Sequence, residues 1–246
     1  MDRLIYTAMS GANMLTQRQD TIAHNLANSG TTGFRAELDA FRSVPVYGPG
    51  APTRVSSVET TTGADFTPGA LEKTGNALDA AIDGKGFFAV QAPDGSEAYT
   101  RDGSFVVGQD GTLQTKSGFA VLGDGGAINV PPNNTLVIGK DGTVTAIPSG
   151  GGSQTVALAR LKLVNPDTSE LVRSPDGLFR TRSGDPAPSD ATVTVAPETL
   201  EKSNVNPVDA LVAMIGVARQ FDTNMKLLDE ADQNATKATQ LLSITS

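Results

Sequence analysis

Small and apolar residues recur at Ile5, Ala8, Ala12, Leu15, Ile22 and Leu26, with Gln19 the one polar member of the series. The steps alternate between three and four residues. That is the heptad period, which keeps one stripe of a helix turned toward a partner helix. The spacing predicts a helix over residues 4–28, ended by Asn28-Ser29-Gly30. The same rule returns at the other end through Leu211, Met214, Ala218, Phe221, Met225, Leu228, Asp232, Ala235, Thr239 and Leu242. It predicts a second helix from Asn206-Pro207 to about Leu242, with Asp209 beside its positive N-terminal end. Chain ends are ordinarily the loosest part of a domain; here they carry the most regular apolar pattern.

The middle of the chain follows another rule. Residues 31–75 show no period, and Pro45, Pro49, Pro52 and Pro68 with Gly48, Gly50, Gly63 and Gly69 argue against long helices. An extended, partly β linker is expected there. Over residues 76–202, Asp-Gly occurs seven times, mostly flanked by short apolar runs. Asp-Gly suits turns that need positive φ, so the pattern predicts hairpins. Candidate strands are Gly86–Gln91, Ala98–Thr100, Ser104–Val107, Thr112–Gln114, Phe119–Leu122, Ile128–Val130, Leu136–Ile138, Thr143–Ala146, Thr155–Val164, Leu178–Thr181 and Thr192–Ala196. Their close spacing leaves no room for crossover helices, which disfavours a parallel sheet. Ser149–Ser153 reads as a flexible loop. The expected fold class is mixed α and β. Its parts are an N-terminal helix at 1–30, the linker at 31–75, a β-rich domain at 76–202 and a C-terminal helix at 203–246.

Composition narrows the function. Net charge is −8 and no segment is strongly basic, which speaks against nucleic-acid binding. Cysteine is absent, which excludes disulfides, thiolate metal sites and thiol nucleophiles. No run approaches the length of a membrane span. Asp2 and Arg3 precede an amphipathic run, so no secretory signal is expected. That suits a cytoplasmic protein, or one exported by a route that reads no cleavable signal.

Catalytic and cofactor chemistry find little footing. His24 is the single histidine, and neither a Ser-His-Asp set nor a metal site can be assembled around it. The Asp-Gly pairs lack the alternating acidic ladder of a calcium loop and read as turns. Gly84-Lys85-Gly86-Phe87-Phe88-Ala89 fits GxGxxA in letters. A β-rich run follows it, where a dinucleotide site needs a helix. No catalytic residue, cofactor or metal is expected. An enzyme would need a site that the residues do not supply. A carbohydrate-binding β protein would need an aromatic platform, which 5% aromatics without Trp argue against.

The terminal stripes leave two readings: a hairpin within the chain, or a polymerisation device. Asp232 and Thr239 at seam positions, the Ala-rich first stripe and the placement at opposite ends of the sequence favour partners on several sides.

Four blocks carry a family resemblance. Asn25-Leu26-Ala27-Asn28-Ser29-Gly30-Thr31-Thr32-Gly33-Phe34-Arg35 resembles the N-L-A-N-x-x-T-x-G-F-K/R signature of flagellar rod, hook and hook-associated proteins. The runs Leu78–Phe88 and Tyr99–Phe105 are similar to the opening blocks of that family's β domain, and Ser203-Asn204-Val205-Asn206 to its C-terminal block. His24 stands where an asparagine is common. The resemblance covers essentially the whole chain. It implies a coiled-coil-like D0 domain of paired terminal helices, forming an inner tube, with a β-rich D1 domain outside. It implies a torque-transmitting proximal-rod subunit of the bacterial basal body, with a distal-rod or hook subunit as the alternative. The implied partners are other rod subunits, further copies of the chain and the flagellar type III export apparatus. The implied location is the periplasmic rod, reached from the cytoplasm without a cleaved signal peptide or direct membrane insertion. The assembly seams would be the two stripes. Asn25, Leu26, Ala27, Asn28, Thr31, Gly33, Phe34 and Arg35 carry the signature.

Overall fold

A computed structural model describes the backbone of residues 2–45, 55–148 and 155–244, with all side chains there except those at 2–8, 43, 55–62, 235, 238, 239 and 241–244. The glycine loop at 149–153 lies outside the described residues. The fold is mixed α and β: helix α1 (Asp2–Ala27) and helix α2 (Pro207–Ile244) bracket antiparallel strands.

The chain forms two compact units. The first takes the described residues of Met1–Asn28, Glu37–Asp65 and Val205–Ser246. It holds both helices and a hairpin of Glu37–Pro45 with Val55–Ala64, which is bulged between Ala40 and Phe41. The hairpin packs on α1 and α1 packs on α2. An isolated two-stranded ribbon is marginal in water, so α1 supplies the surface that this one needs. The stretch expected as an extended linker at 31–75 is thus divided. Its centre is a long hairpin of the helical unit, while Leu71–Lys73 is a strand of the other unit, paired with Thr199–Glu201. No apolar alternation advertised the hairpin, because much of its second strand is a Thr- and Ser-rich run.

The second unit takes Ser29–Ala36 and Phe66–Asn204. Among the described residues its main sheet has nine strands. The central path runs Leu171–Arg173, Phe179–Thr181, Glu97–Thr100, Phe87–Gln91, Ala120–Gly123, Leu113–Thr115, Phe105–Val107. A three-stranded sheet (Asn134–Ile138, Thr143–Pro148, Val156–Arg160) and a pair of Ala80–Asp83 with Thr194–Pro197 complete it. Phe87-Phe88-Ala89-Val90 is buried at every position because its strand is covered on both faces. Phe88 and Val90 belong to the main apolar cluster, where Phe88 meets Phe105 edge-on at 5.2 Å. Phe87, with the opposite strand parity, meets Phe66 at 6.0 Å and Phe179 at 5.8 Å.

Five of the seven Asp-Gly glycines sit at positive φ: Gly84, Gly95, Gly111, Gly142 and Gly177. Gly103 does not. There a Cβ would lie 1.6 Å from the Ala80 carbonyl oxygen, and the Ala80 N–H donates to the Gly103 carbonyl at 3.0 Å. Close strand approach, rather than turn handedness, requires that glycine. The expected long strand Thr155–Val164 is broken into Val156–Arg160 and Leu163–Val164, which serve different sheets. Gly84–Gly86 leads into a strand, not a helix, so no phosphate cradle forms there.

Candidate assembly surfaces and the buried charged node

Helix α1 turns Ala12, Leu15, Ile22 and Leu26 inward, with Leu15 buried, while Gln19 is exposed. The side chains of Ile5 and Ala8 lie outside the described residues. On α2 the inward series is Ala210, Met214, Val217, Phe221, Asn224, Leu228 and Ala231, with Val217 buried. Within the single chain the stripe read from the sequence divides between two faces. Met214, Phe221 and Leu228 face inward, whereas Leu211, Ala218, Met225 and Asp232 are exposed, and the inward places beside them go to residues one position earlier. Ala235, Thr239 and Leu242 belong to the helix, but their side chains lie outside the described residues. The physical reason is an ambiguity of phase. A column at Met214, Phe221 and Leu228 can be completed by residues three or four positions on. Val217 and Asn224 face α1: a Cβ on Gly11 would lie 3.4 Å from the Asn224 amide nitrogen. The missing side chain at Gly11 makes room for a polar residue in the seam. Beside it Met14, Leu15, Arg219, Gln220, Thr223 and Asn224 line an open groove of about 420 Å³.

The helix has a second apolar face. Val208, Leu211, Val212 and Ile215 follow helical spacing and point away from α1, with Val212 65% and Ile215 55% exposed. In water this stripe lacks a cover.

The end of α1 is a polar clasp. The Asn28 N–H donates to the carbonyls of His24 and Asn25, both at 3.2 Å, and its side-chain amide donates to His24 O at 2.9 Å. These bonds satisfy carbonyls that a helix end leaves open. Asn25 grips the first residue of the hairpin: its Oδ1 accepts from Glu37 N at 2.7 Å and its Nδ2 donates to Glu37 O at 2.9 Å. His24 Nδ1 lies 3.0 Å from the Glu37 carboxylate, and the Thr21 hydroxyl donates to Asp39 at 2.7 Å. The polar residue at 24 therefore faces the hairpin start. At the other end Asn206 Oδ1 accepts from Val208 N at 3.0 Å, capping α2 ahead of Pro207.

In the second unit the remaining signature residues converge on a buried charged node. Arg35 is fully buried and donates through Nη2 to Glu201 Oε1 at 2.6 Å. Arg101 donates to Glu201 Oε2 at 3.0 Å and to the Gly84 carbonyl at 2.7 Å. The Gly69 N–H also reaches Glu201 Oε1, at 2.8 Å, and the Gly33 N–H donates to the Glu201 carbonyl at 2.8 Å. Burial pulls the Arg101 guanidinium below its usual range; Glu201 opposes that and Arg35 adds to it. Two cations share one carboxylate, and Arg35 Nε, Arg35 Nη1 and Arg101 Nε meet no acceptor among the described residues.

Phe34 is buried beside this node, with the Arg173 guanidinium 4.3 Å over its ring. Arg173 also donates to the Arg35 carbonyl at 2.9 Å. The Thr31 carbonyl accepts from Phe34 N at 3.4 Å, and Thr32 donates to Asp102 at 2.8 Å. Gly33 has φ +67°, and a Cβ there would lie 2.3 Å from the Arg101 carbonyl carbon. Leu26 is half-buried and Ala27 exposed on α1. Sequence reading missed Glu201 and Arg173 as partners of Arg35, and Arg101 as the second cation on Glu201. The available signal was that Arg35 and Arg101 each lie inside a family block, while nothing local marks Glu201.

Among the described residues no group of three or more acidic, histidine or cysteine side chains could hold a metal ion. No described helix is long and apolar enough to cross a membrane.

Comparison with known proteins agrees along the chain. Residues 5–35 match the model of the flagella basal body rod protein family. Residues 81–146 match the flagellar hook protein FlgE/F/G D1 domain, and residues 196–241 the C-terminal domain of flagellar basal body rod FlgEFG proteins. The flagellar basal-body rod protein FlgF of Escherichia coli is 44% identical, over 99% of this chain and 100% of that protein. FlgF of Caulobacter vibrioides is 33% identical over 98% of each chain. The rod protein FlgG of Buchnera aphidicola from Schizaphis graminum is 32% identical, over 96% of this chain and 98% of that protein.

Proposed function

We infer that this chain, which belongs to the flagellar basal-body rod protein family, polymerises through its terminal helices into the wall of the proximal rod. Its role is that of a structural rod subunit of the basal body, and its family is structural rather than enzymatic. The FlgF branch is favoured over FlgG by 44% against 32% identity at nearly full coverage. That choice supports the proximal rod over a distal-rod or hook position.

The observation that carries the assembly reading is the second apolar face of α2. One face of that helix is used on α1, yet Val208, Leu211, Val212 and Ile215 remain in water. Each such side chain contributes roughly 1.5–3 kcal/mol when fully buried. A head-to-tail contact that does not close on itself builds a helical tube, and further copies or other rod subunits would cover this face. Such a tube would transmit torque and enclose the export channel. Passage from the cytoplasm to the periplasm through the flagellar type III export apparatus, without a cleaved signal, completes the reading.

The test replaces Ile215 by Asp. Because Ile215 is exposed in the single chain, the isolated variant melts as the parent does. In cells it fails to enter basal bodies and swimming is lost. Normal incorporation of Ile215→Asp at ordinary expression would overturn the role of this face.

A further inference from the structure

The charged node joins four stretches of the second unit that are far apart in sequence. They are Gly33–Arg35 behind α1, Gly69, Arg101 in the sheet connection and Glu201 ahead of α2. Residues 29–36 connect α1 to the hairpin, and residues 202–206 connect Glu201 to α2. These linking segments also pair directly: Ala36 N donates to Asn204 Oδ1 at 2.7 Å and Asn204 N to the Phe34 carbonyl at 3.4 Å.

The node is unevenly neutralised. Two guanidiniums share one carboxylate at 0–4% exposure, and three of their nitrogens meet no acceptor among the described residues. A buried ion pair returns its desolvation cost only when charges balance and the remaining donors are satisfied. Here neither condition is fully met. Opening the node would return these three nitrogens, two on Arg35 and one on Arg101, to water. The main apolar cluster contains no residue of the node and none of segment 29–36; that segment meets the sheet at its edge strand, through Arg173 on Phe34 and on the Arg35 carbonyl.

We propose that the Arg35–Glu201–Arg101 node is a latch that releases residues 29–36 and 202–204 together by local opening, without melting the sheet. Closed, it fixes the roots of both terminal helices on one carboxylate. Open, it frees both roots at once. Glu201 is the common element, because its side chain holds both arginines and its backbone carbonyl holds Gly33. Residues 33–35 cannot dock stably before residue 201 is in place, since two arginines would then be buried without a counter-charge. The linking segments thus become ordered only when both ends of the unit are present.

Amide hydrogen exchange on the full chain tests this. The informative amides are Gly33, Ala36, Lys202 and Asn204 against Ala89, whose N–H bonds Lys162 O inside the sheet at 3.0 Å. Two variants are compared. Glu201→Gln keeps the shape and removes the counter-charge; Arg35→Met removes the surplus cation and leaves Arg101 and Glu201 as a neutral pair. The latch requires exchange at Gly33, Ala36 and Asn204 to accelerate about tenfold or more in at least one variant while Ala89 keeps its parental rate. Equal acceleration of Ala89 in both variants would make the node a global support of the sheet. Unchanged exchange at Gly33 and Ala36 in both would show that the node holds nothing. Either result overturns the proposal.

Discussion

Arg35 and Glu201 stand 166 positions apart in sequence and meet at 2.6 Å in an interior where neither side chain is more than 1% exposed. One belongs to the segment that follows the first helix, the other to the strand that precedes the second. Their bond ties the Asn25–Arg35 block to the strand just ahead of the C-terminal block, and Arg101 brings in the Tyr99–Phe105 block. Arg35 and Arg101, in blocks that look like separate motifs along the chain, thus meet on one buried carboxylate.

Gly33 is fixed by that contact. Its φ of +67° lies in the left-handed region, and a Cβ would meet the Arg101 and Asp102 backbone within 2.4 Å. Gly33→Val is therefore expected to lower the stability of this unit by about 1–3 kcal/mol, through backbone strain together with overpacking. Denaturant melts of the purified protein, with swimming assays at matched expression, read both consequences. A variant with parental melting and motility would remove the requirement.

The observed seam decides which substitution reports on the helix pair. Val217 is 3% exposed and faces α1, so Val217→Asp should cost roughly 3 kcal/mol of helix pairing. It should show as an early loss of helical circular dichroism on heating. Leu228 is half-buried on the same face, and Leu228→Asp should likewise weaken the pair. A melting loss for Leu228→Asp would report on the contact within the chain. Unaltered helix melting for Val217→Asp would show that α1 and α2 do not hold each other in the free subunit.

Tyr99 gives a pH signature at the alkaline end. Burial, with the Glu97 carboxylate beside it, pushes its phenol up to about 12 from an ordinary value of 10.0. The neutral phenol donates to Glu97 at 3.1 Å and accepts from the Ala187 N–H at 2.7 Å. A folded-state pKa above the unfolded one stabilises the fold fully below the unfolded value. That contribution is lost as pH rises through the folded value, so the window here is about pH 10 to 12. Stability should fall across it, and a spectrophotometric titration should show a late tyrosinate step that Tyr99→Phe lacks. Ionisation of every tyrosine near pH 10 would contradict the burial argument.

Much of this protein was readable from residue order, because the deciding physics was local. Heptad spacing marks both terminal helices, Asn28-Ser29-Gly30 stops the first and Asn206-Pro207 starts the second. Asp-Gly marks turns that need positive φ, and five of the seven glycines adopt it. Short apolar runs between turns mark the strands of an antiparallel β unit. What tertiary structure alone decided involves residues that have no local signal. The second column of the α2 seam goes to Val217 and Asn224 rather than Ala218 and Met225. Both choices satisfy the heptad, and the partner surface, with its gap at Gly11, selects between them. The hairpin at 37–64 is hidden because its ribbon leans on α1 instead of carrying an alternating apolar face of its own. Glu201 sits in a stretch with no apolar period, and its value comes from two arginines 100 and 166 residues away. A buried charge is set by what surrounds it in space, and that is a property of the fold rather than of the neighbouring letters.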